Sequence, residues 1–165
     1  MQKSGSRDLQ TICDAHGILL LESDMGSQKH ACKGFFLQQD GVSSICINSA
    51  LDEDIRRIVL AHELGHAILH ASYTDHTFHD FGLFTDQTHL EYEANLFASE
   101  LLLEDSTVIC ALQECDDFFC AAKLLCVPQA LLDFKLRILK KCDLLPVDSP
   151  IVSSGDFLRN YTGGM

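Results

Sequence analysis

The stretch AHELGHAILH, from Ala61 to His70, constrains the fold of this chain more than any other feature. Apolar residues surround it on nearly every helical face, so the sequence predicts a central, buried helix from about Leu51 to His70. His62 and His66 are four residues apart and lie on one face of that helix, one turn from each other. Because two imidazoles placed in this way can bind one zinc ion, the helix predicts a metal site.

Glu63 follows the first histidine and lies about 100° round the helix from it. From there its carboxylate can reach a water molecule at the metal but cannot replace a histidine as ligand. Such a carboxylate can take a proton from a water molecule that zinc has made more acidic, and later return it to a leaving amine. The pattern HExxH is therefore typical of a zinc hydrolase, although it arises by chance in roughly 2 of 100 chains of this composition. A third ligand is needed to decide.

His70 repeats the four-residue spacing but cannot be that ligand. It lies eight residues, or ~12 Å, from His62 along a straight helix, and bonds of ~2 Å cannot join both to one ion. We expect His70 to cap the end of the helix or to line the cleft.

A second helix, predicted from about Leu90 to Leu103, offers two carboxylates. Glu91 shares a face with small residues that allow close packing, whereas Glu93 lies on the opposite, solvated face. An inward carboxylate needs a partner such as a metal, so we favour Glu91 as the third ligand and keep Glu93 as the alternative. Asn95, one turn beyond Glu91, could hydrogen-bond a ligating histidine.

The other patterns predict one α+β domain, since 165 residues suit a single core. A short helix (Leu9 to His16), a strand (Gly17 to Glu22) and a hairpin turning at Asp40-Gly41 precede the long helix. They predict a small three-stranded sheet, mixed or antiparallel, with Ser49 as the N-cap of the helix that follows.

The segments after the long helix are predicted to be a loop, helices and a tail. Residues 72–88 lack any period and predict a long loop. Beyond the second helix, further helices are expected to start at Asp105 or Ser106, at Asp116 or Asp117, and at Pro128. We expect the domain to span residues 1–145 and residues 146–165 to form a loosely held tail.

Charge and cysteine content limit the possible partners and compartment. A net charge of -12 and a pI near 4.8 disfavour nonspecific attraction to nucleic acid or anionic membrane, and suit a basic protein partner. No apolar run approaches the ~20 residues of a membrane span. The chain has eight cysteines but no CxxC pair and no signal peptide, so we expect reduced thiols and a cytoplasmic location.

The two helices together resemble a known family. RRIVLAHELGHAILH, followed 25 residues after His66 by EYEANLFASELLL, is similar to the ImmA/IrrE family of metallo-endopeptidases. The resemblance covers about residues 17 to 104, although the second helix ends Leu-Leu-Glu instead of the usual Leu-Leu-Met-Pro. It implies a zincin-like domain in minimal catalytic form, in which the sheet packs on the HExxH helix and C-terminal helices follow. It also implies His62, His66 and Glu91 as metal ligands and Glu63 as catalytic base.

The function that the resemblance implies is a zinc endopeptidase of narrow specificity, with manganese as an alternative metal. Its substrate would be a helix-turn-helix repressor of a prophage, mobile element or stress regulon. One alternative is a non-catalytic, zinc-containing regulatory protein that inactivates its partner by binding, and another is a metal-free packing module. The C-terminal helices have a pattern similar to a helix-turn-helix motif, but they contain few Lys and Arg residues, so we expect no direct binding of nucleic acid.

Two further features of the active site are expected from the residues near these helices. A donor that stabilises the oxyanion is needed for amide hydrolysis, and the candidates are Tyr73, His76, His79 and His89. The strand Ser44 to Asn48 is expected to form the cleft edge and to pair with an extended substrate.

Overall fold

The computed structural model describes residues 8–72, 78–80 and 88–145, and for residues 78–80 it describes the backbone alone. The chain divides into two compact units, Met1–Leu102 and Leu103–Met165. In its described part the first unit combines a small sheet with three helices, and the second unit contains three helices. The predicted α+β class is confirmed. The prediction of one domain across residues 1–145 stays a prediction, and the predicted tail lies outside the described residues.

The sheet of the first unit has four strands: β1 (Ile18–Ser23), β2 (Gly34–Gln39), β3 (Val42–Asn48) and β4 (Phe78–Asp80). Their order is β1-β3-β2-β4, with β1 parallel to β3 and the other pairs antiparallel. The mixed sheet was expected, but β4 is an addition, because the sequence predicted a loop where this strand lies. Three residues are too few to show the alternation by which a strand is recognised.

The hairpin between β2 and β3 turns at the predicted dipeptide. Asp40 and Gly41 have φ angles of 52° and 79°. Positive φ at both central residues is the backbone of a type I′ turn, whose twist matches that of the flanking strands. The turn therefore fixes the register of β2 on β3.

Helix α1 (Leu9–Ala15) precedes the sheet and packs on β1. The Asp8 side chain caps it by accepting a hydrogen bond from the Gln10 backbone N–H. Gly17, with φ of 65°, follows in the left-handed conformation that was predicted to end this helix.

Helix α2 (Glu53–Leu69) packs across β2 and β3. Its buried aliphatic residues meet the inner face of the sheet, where Phe36, Ile45 and Ile47 are almost fully enclosed. The prediction of Ser49 as N-cap is wrong. Asp52 occupies that position, and the Ser49 backbone N–H instead bonds the Ser23 carbonyl, which extends the strand pairing beyond β3.

Helix α3 (His89–Leu102) lies against α2 in the opposite direction, since His62 contacts Asn95 and His66 contacts the earlier Glu91. The approach is closest at Gly65, where a Cβ atom would lie 3.0 Å from the Cα of Ala94. A glycine in mid-helix costs ~1 kcal/mol relative to alanine. At this position the missing side chain is what allows the two backbones to approach.

The second unit contains α4 (Asp105–Glu114), α5 (Phe118–Leu124) and α6 (Gln129–Lys141). Asp117 caps α5 by accepting from the Cys120 backbone N–H at 2.7 Å, and Pro128 is the N-cap of α6 instead of its first residue. The Lys135 side chain is fully buried and forms an ion pair with Asp105. Across the described part of the chain, none of the helices combines the length and the apolarity needed to cross a bilayer.

Candidate metal centre

Three potential ligands meet between α2 and α3. The Nε2 atoms of His62 and His66 are 3.1 Å apart, and each lies 3.3 Å from a different carboxylate oxygen of Glu91. Both histidines are buried, while the Glu91 side chain is a quarter exposed. The structure thus brings together His62, His66 and Glu91, and their ligand atoms all lie within 4.8 Å of one another.

The spacing of these atoms fits a tetrahedral metal ion. Zinc binds imidazole nitrogen and carboxylate oxygen at ~2.0–2.2 Å, so ligand atoms on a tetrahedron lie ~3.3 Å from each other. The two nitrogens are 3.1 Å apart, close to this value, and each approaches a different Glu91 oxygen to 3.3 Å, so the three side chains are near enough to share one ion. Two nitrogens and one oxygen also form the donor set of catalytic sites that keep one position open for water or substrate.

Asn95 orients the first histidine of the pair. Its Oδ1 lies 2.9 Å from Nδ1 of His62, and the asparagine is fully buried. Because the amide oxygen can only accept, this contact favours the His62 tautomer that carries its proton on Nδ1 and leaves the lone pair of Nε2, the atom that faces Glu91, for a metal ion. This is the hydrogen bond that the sequence predicted for Asn95.

Charge in the cluster favours the forms that bind a metal. Burial lowers the pKa of His66, which favours the neutral imidazole. Burial raises the pKa of Glu91, but in the metal-free site His62 and His66 lower it when their Nε2 atoms carry a proton, through hydrogen bonds and positive charge, and they hold this pKa at about 2. These shifts favour a neutral His66 and an ionised Glu91, the states in which these groups are ligands.

Glu63 is fully buried in the same helix, directly after His62. Burial removes this carboxylate from competing bulk water and leaves it close in the chain to both histidines of the cluster. Its predicted role as a base stays a prediction.

His70 and Glu93 form a contact that the sequence did not indicate. His70 occupies the C-cap position of α2, as expected, and is buried. Its Nδ1 lies 3.1 Å from Nδ1 of His66, and its Nε2 lies 3.0 Å from a carboxylate oxygen of Glu93. The Glu93 side chain is 39% exposed, in line with the prediction that it points outward, and it also pairs with His89 at 3.3 Å. The structure brings Glu91, and not Glu93, to the pair of histidines.

The remaining predictions concern the donor that stabilises the oxyanion and the edge of the cleft. Tyr73 and His76 lie outside the described residues, and of His79 only the backbone is described. The His89 side chain is 79% exposed and pairs with Glu93. The expectation that residues 44–48 form a free edge is wrong, because β3 lies between β1 and β2 and is paired on both sides.

Comparison with known proteins agrees with this geometry. A peptidase family model described as the IrrE N-terminal-like domain matches residues 13–125, more than half of the chain. The protein named Metallopeptidase ImmA from Bacillus subtilis (strain 168) is 33% identical over 138 residues, which are 80% of this chain and 76% of that protein. Uncharacterized immunity region protein 2 of Bacillus phage phi105 is 40% identical over 79 residues, 48% of this chain and 49% of that protein. The chain therefore belongs to the ImmA/IrrE family of metallopeptidases.

Proposed function

We propose that this protein is a zinc-dependent endopeptidase of narrow specificity, with His62, His66 and Glu91 as ligands and Glu63 as catalytic base. The observation that carries the proposal is the convergence of two imidazole nitrogens and a carboxylate, whose ligand atoms all lie within 4.8 Å of one another. Membership of a metallopeptidase family supports a peptide bond as the target. Manganese is the alternative metal, since the same donors accept it.

In the proposed mechanism, each residue has a separate task. His62, His66 and Glu91 would hold the zinc ion, which would supply the Lewis acidity that lowers the pKa of water and polarises a carbonyl. Glu63 accepts the proton of the attacking water and delivers it to the leaving amine. Asn95 holds the His62 ring by its Nδ1–H, which keeps Nε2 available for the metal. Glu91, already ionised, adds the negative charge that a cation requires.

The proposed substrate is a helix-turn-helix transcriptional repressor. Membership of the ImmA/IrrE family supports this class, and the name of the phage relative assigns that protein to an immunity region. A repressor has a basic surface for DNA phosphates, which a chain of net charge -12 would attract. Such a substrate, together with eight free cysteines, supports a reducing, cytoplasmic location.

The test is cleavage of the repressor encoded beside the gene by zinc-loaded protein, followed on a gel. Glu63→Gln keeps the size of the buried side chain and removes the base, so cleavage is expected to fall by ~10²-fold or more while zinc content stays unchanged. Glu100→Gln makes the same change from carboxylate to carboxamide at an exposed position of α3. It is the matched control and is expected to cleave normally.

Two outcomes would count against the proposed enzyme. If Glu63→Gln cleaves the repressor as fast as the unaltered protein does, the role assigned to Glu63 is wrong. If the protein binds zinc and inactivates the repressor without products, it acts by binding and not by hydrolysis.

A further inference from the structure

The two histidines of the candidate metal centre have different neighbours behind their rings. A histidine that binds metal through Nε2 carries its proton on Nδ1, and an acceptor must lie opposite that proton. For His62 the acceptor is the amide oxygen of Asn95 at 2.9 Å. For His66 the atom in the same place is Nδ1 of His70, at 3.1 Å.

The protonation of His66 determines that of His70. When Nε2 of His66 binds a metal ion, its Nδ1 donates, so Nδ1 of His70 has to accept with its lone pair, and a neutral His70 then carries its proton on Nε2. That nitrogen lies 3.0 Å from Oε2 of Glu93, an acceptor. Each N–H in the series meets an acceptor, so the hydrogen bonds run in one direction from His66 through His70 to Glu93.

We infer that His70 and Glu93 are positioning residues for His66, which fix its tautomer and increase the electron density at the nitrogen facing the metal. The inference deepens the proposed function and rests on its metal centre. His70 is 2% exposed, which shields its bond to His66 from competing water. Glu93 supplies a charged end to the series, whereas the partner of His62 is a neutral amide.

Charge at Glu93 is what separates this role from simple packing. The Glu93 carboxylate lies 3.0 Å from Nε2 of the buried His70, and 39% of its side chain is exposed to solvent. Carboxylates that polarise a ligating histidine typically change metal affinity by ~10–100-fold when they are removed. Here the effect has to pass through one additional imidazole, so we expect a change near the lower end of that range.

The experiment measures the dissociation constant of zinc by competition with a chromophoric chelator. Glu93→Gln keeps the size and an acceptor oxygen but removes the charge, and is expected to weaken zinc binding about tenfold. His70→Phe fills the same space without either hydrogen bond and is expected to weaken it by up to ~100-fold. Glu100→Gln, on the same helix and exposed, is the matched control and should bind as the unaltered protein does.

Two spectroscopic measurements separate positioning from general destabilisation. In the cobalt-substituted protein, the visible ligand-field bands should shift in Glu93→Gln but not in Glu100→Gln, because only the first change reaches a ligand. In the zinc-loaded protein, nitrogen-15 NMR of the histidine rings should show the His70 proton on Nε2. Since Glu93 is partly exposed, its variant is expected to melt within a few degrees of the unaltered metal-free protein, even if His70→Phe fails to fold.

The inference is overturned if Glu93→Gln binds zinc as tightly as Glu100→Gln with unchanged cobalt bands, or if the His70 proton lies on Nδ1. Its failure differs from that of the proposed function. A protein that takes up no zinc at all would refute both together. Normal zinc binding with cleavage that does not depend on Glu63 would refute only the proposed mechanism.

Discussion

Replacing Gly65 by alanine tests whether close contact between α2 and α3 holds the metal ligands together. The new Cβ atom would lie 3.0 Å from Cα, 3.3 Å from Cβ and 3.3 Å from the carbonyl oxygen of Ala94. Carbon atoms in favourable contact are ~3.5–4.0 Å apart, so the clash amounts to a few tenths of an ångström. Two of the three atoms belong to the backbone and cannot move alone, so the helices must separate.

Opposing terms determine the stability of Gly65→Ala. Alanine gains ~1 kcal/mol in helix propensity, whereas forcing a methyl group into a packed interface costs ~1–3 kcal/mol. We expect a net loss of about 1 kcal/mol in the free energy of unfolding, measured by urea denaturation of the metal-free protein. Glu91 lies one turn before Ala94, so separation of the helices also lengthens its 3.3 Å distances to the histidines.

Zinc affinity should therefore fall in Gly65→Ala by more than the loss of stability alone explains, about tenfold or more. Adding Ala94→Gly removes one of the three contacts and should recover part of the affinity, a coupling that distant sites do not show. If Gly65→Ala is instead ~1 kcal/mol more stable and binds zinc normally, propensity alone governs this position and the contact argument is wrong.

Three other substitutions test the remaining framework. Asn48 is fully buried, and its side-chain N–H groups donate to two backbone carbonyls at 2.8 and 2.9 Å. Asn48→Asp has no donor there and should lower the free energy of unfolding by ~2–4 kcal/mol in urea titrations. An unchanged midpoint of unfolding would contradict that account. Asp105→Asn removes the carboxylate charge that is paired with the buried Lys135 ammonium, and it should destabilise the second unit by ~1–3 kcal/mol in thermal melts. Lys135→Met removes the buried charge itself and should destabilise the protein less in the same assay. The reverse ranking of the two variants would refute the argument. Glu91→Gln should weaken zinc binding by ~100-fold or more in equilibrium dialysis. If Glu93→Gln weakens zinc binding more than Glu91→Gln does, Glu91 is not the third ligand.

Local geometry explains which parts of the site the sequence could predict. The spacing of His62 and His66 fixes their common face, because an α-helix repeats every 3.6 residues wherever it lies in a protein. The choice of Glu91 over Glu93 depended on the small residues that share its face, and those residues form the contact with α2. Asn95 followed from the same face. Each of these inferences needed only the periodicity of one helix.

Properties that depend on strand order or on neighbouring backbone were not predictable in this way. Residues 44–48 were expected at the cleft edge because they precede the metal helix, but β3 is central, since β1 pairs with it although β2 lies between them in the chain. Ser49 had the right side chain for a cap, yet its backbone N–H is bonded to Ser23. In both cases the deciding partner is more than 20 residues away in the chain.

The contact between His70 and Glu93 shows where a helical wheel is insufficient. His62, His66 and His70 are four residues apart, so the stripe they form turns about 40° at each step while rising ~6 Å. His70 consequently points away from the Glu91 carboxylate, toward another part of α3, where Glu93 lies. His70 lies two turns from His62, too far to share its ion, but only one turn from His66. Its ring therefore contacts Nδ1 of His66. The four-residue spacing therefore has two consequences for His70. It keeps His70 too far from the ion to be a ligand, and it puts His70 next to His66, where it can orient that ligand.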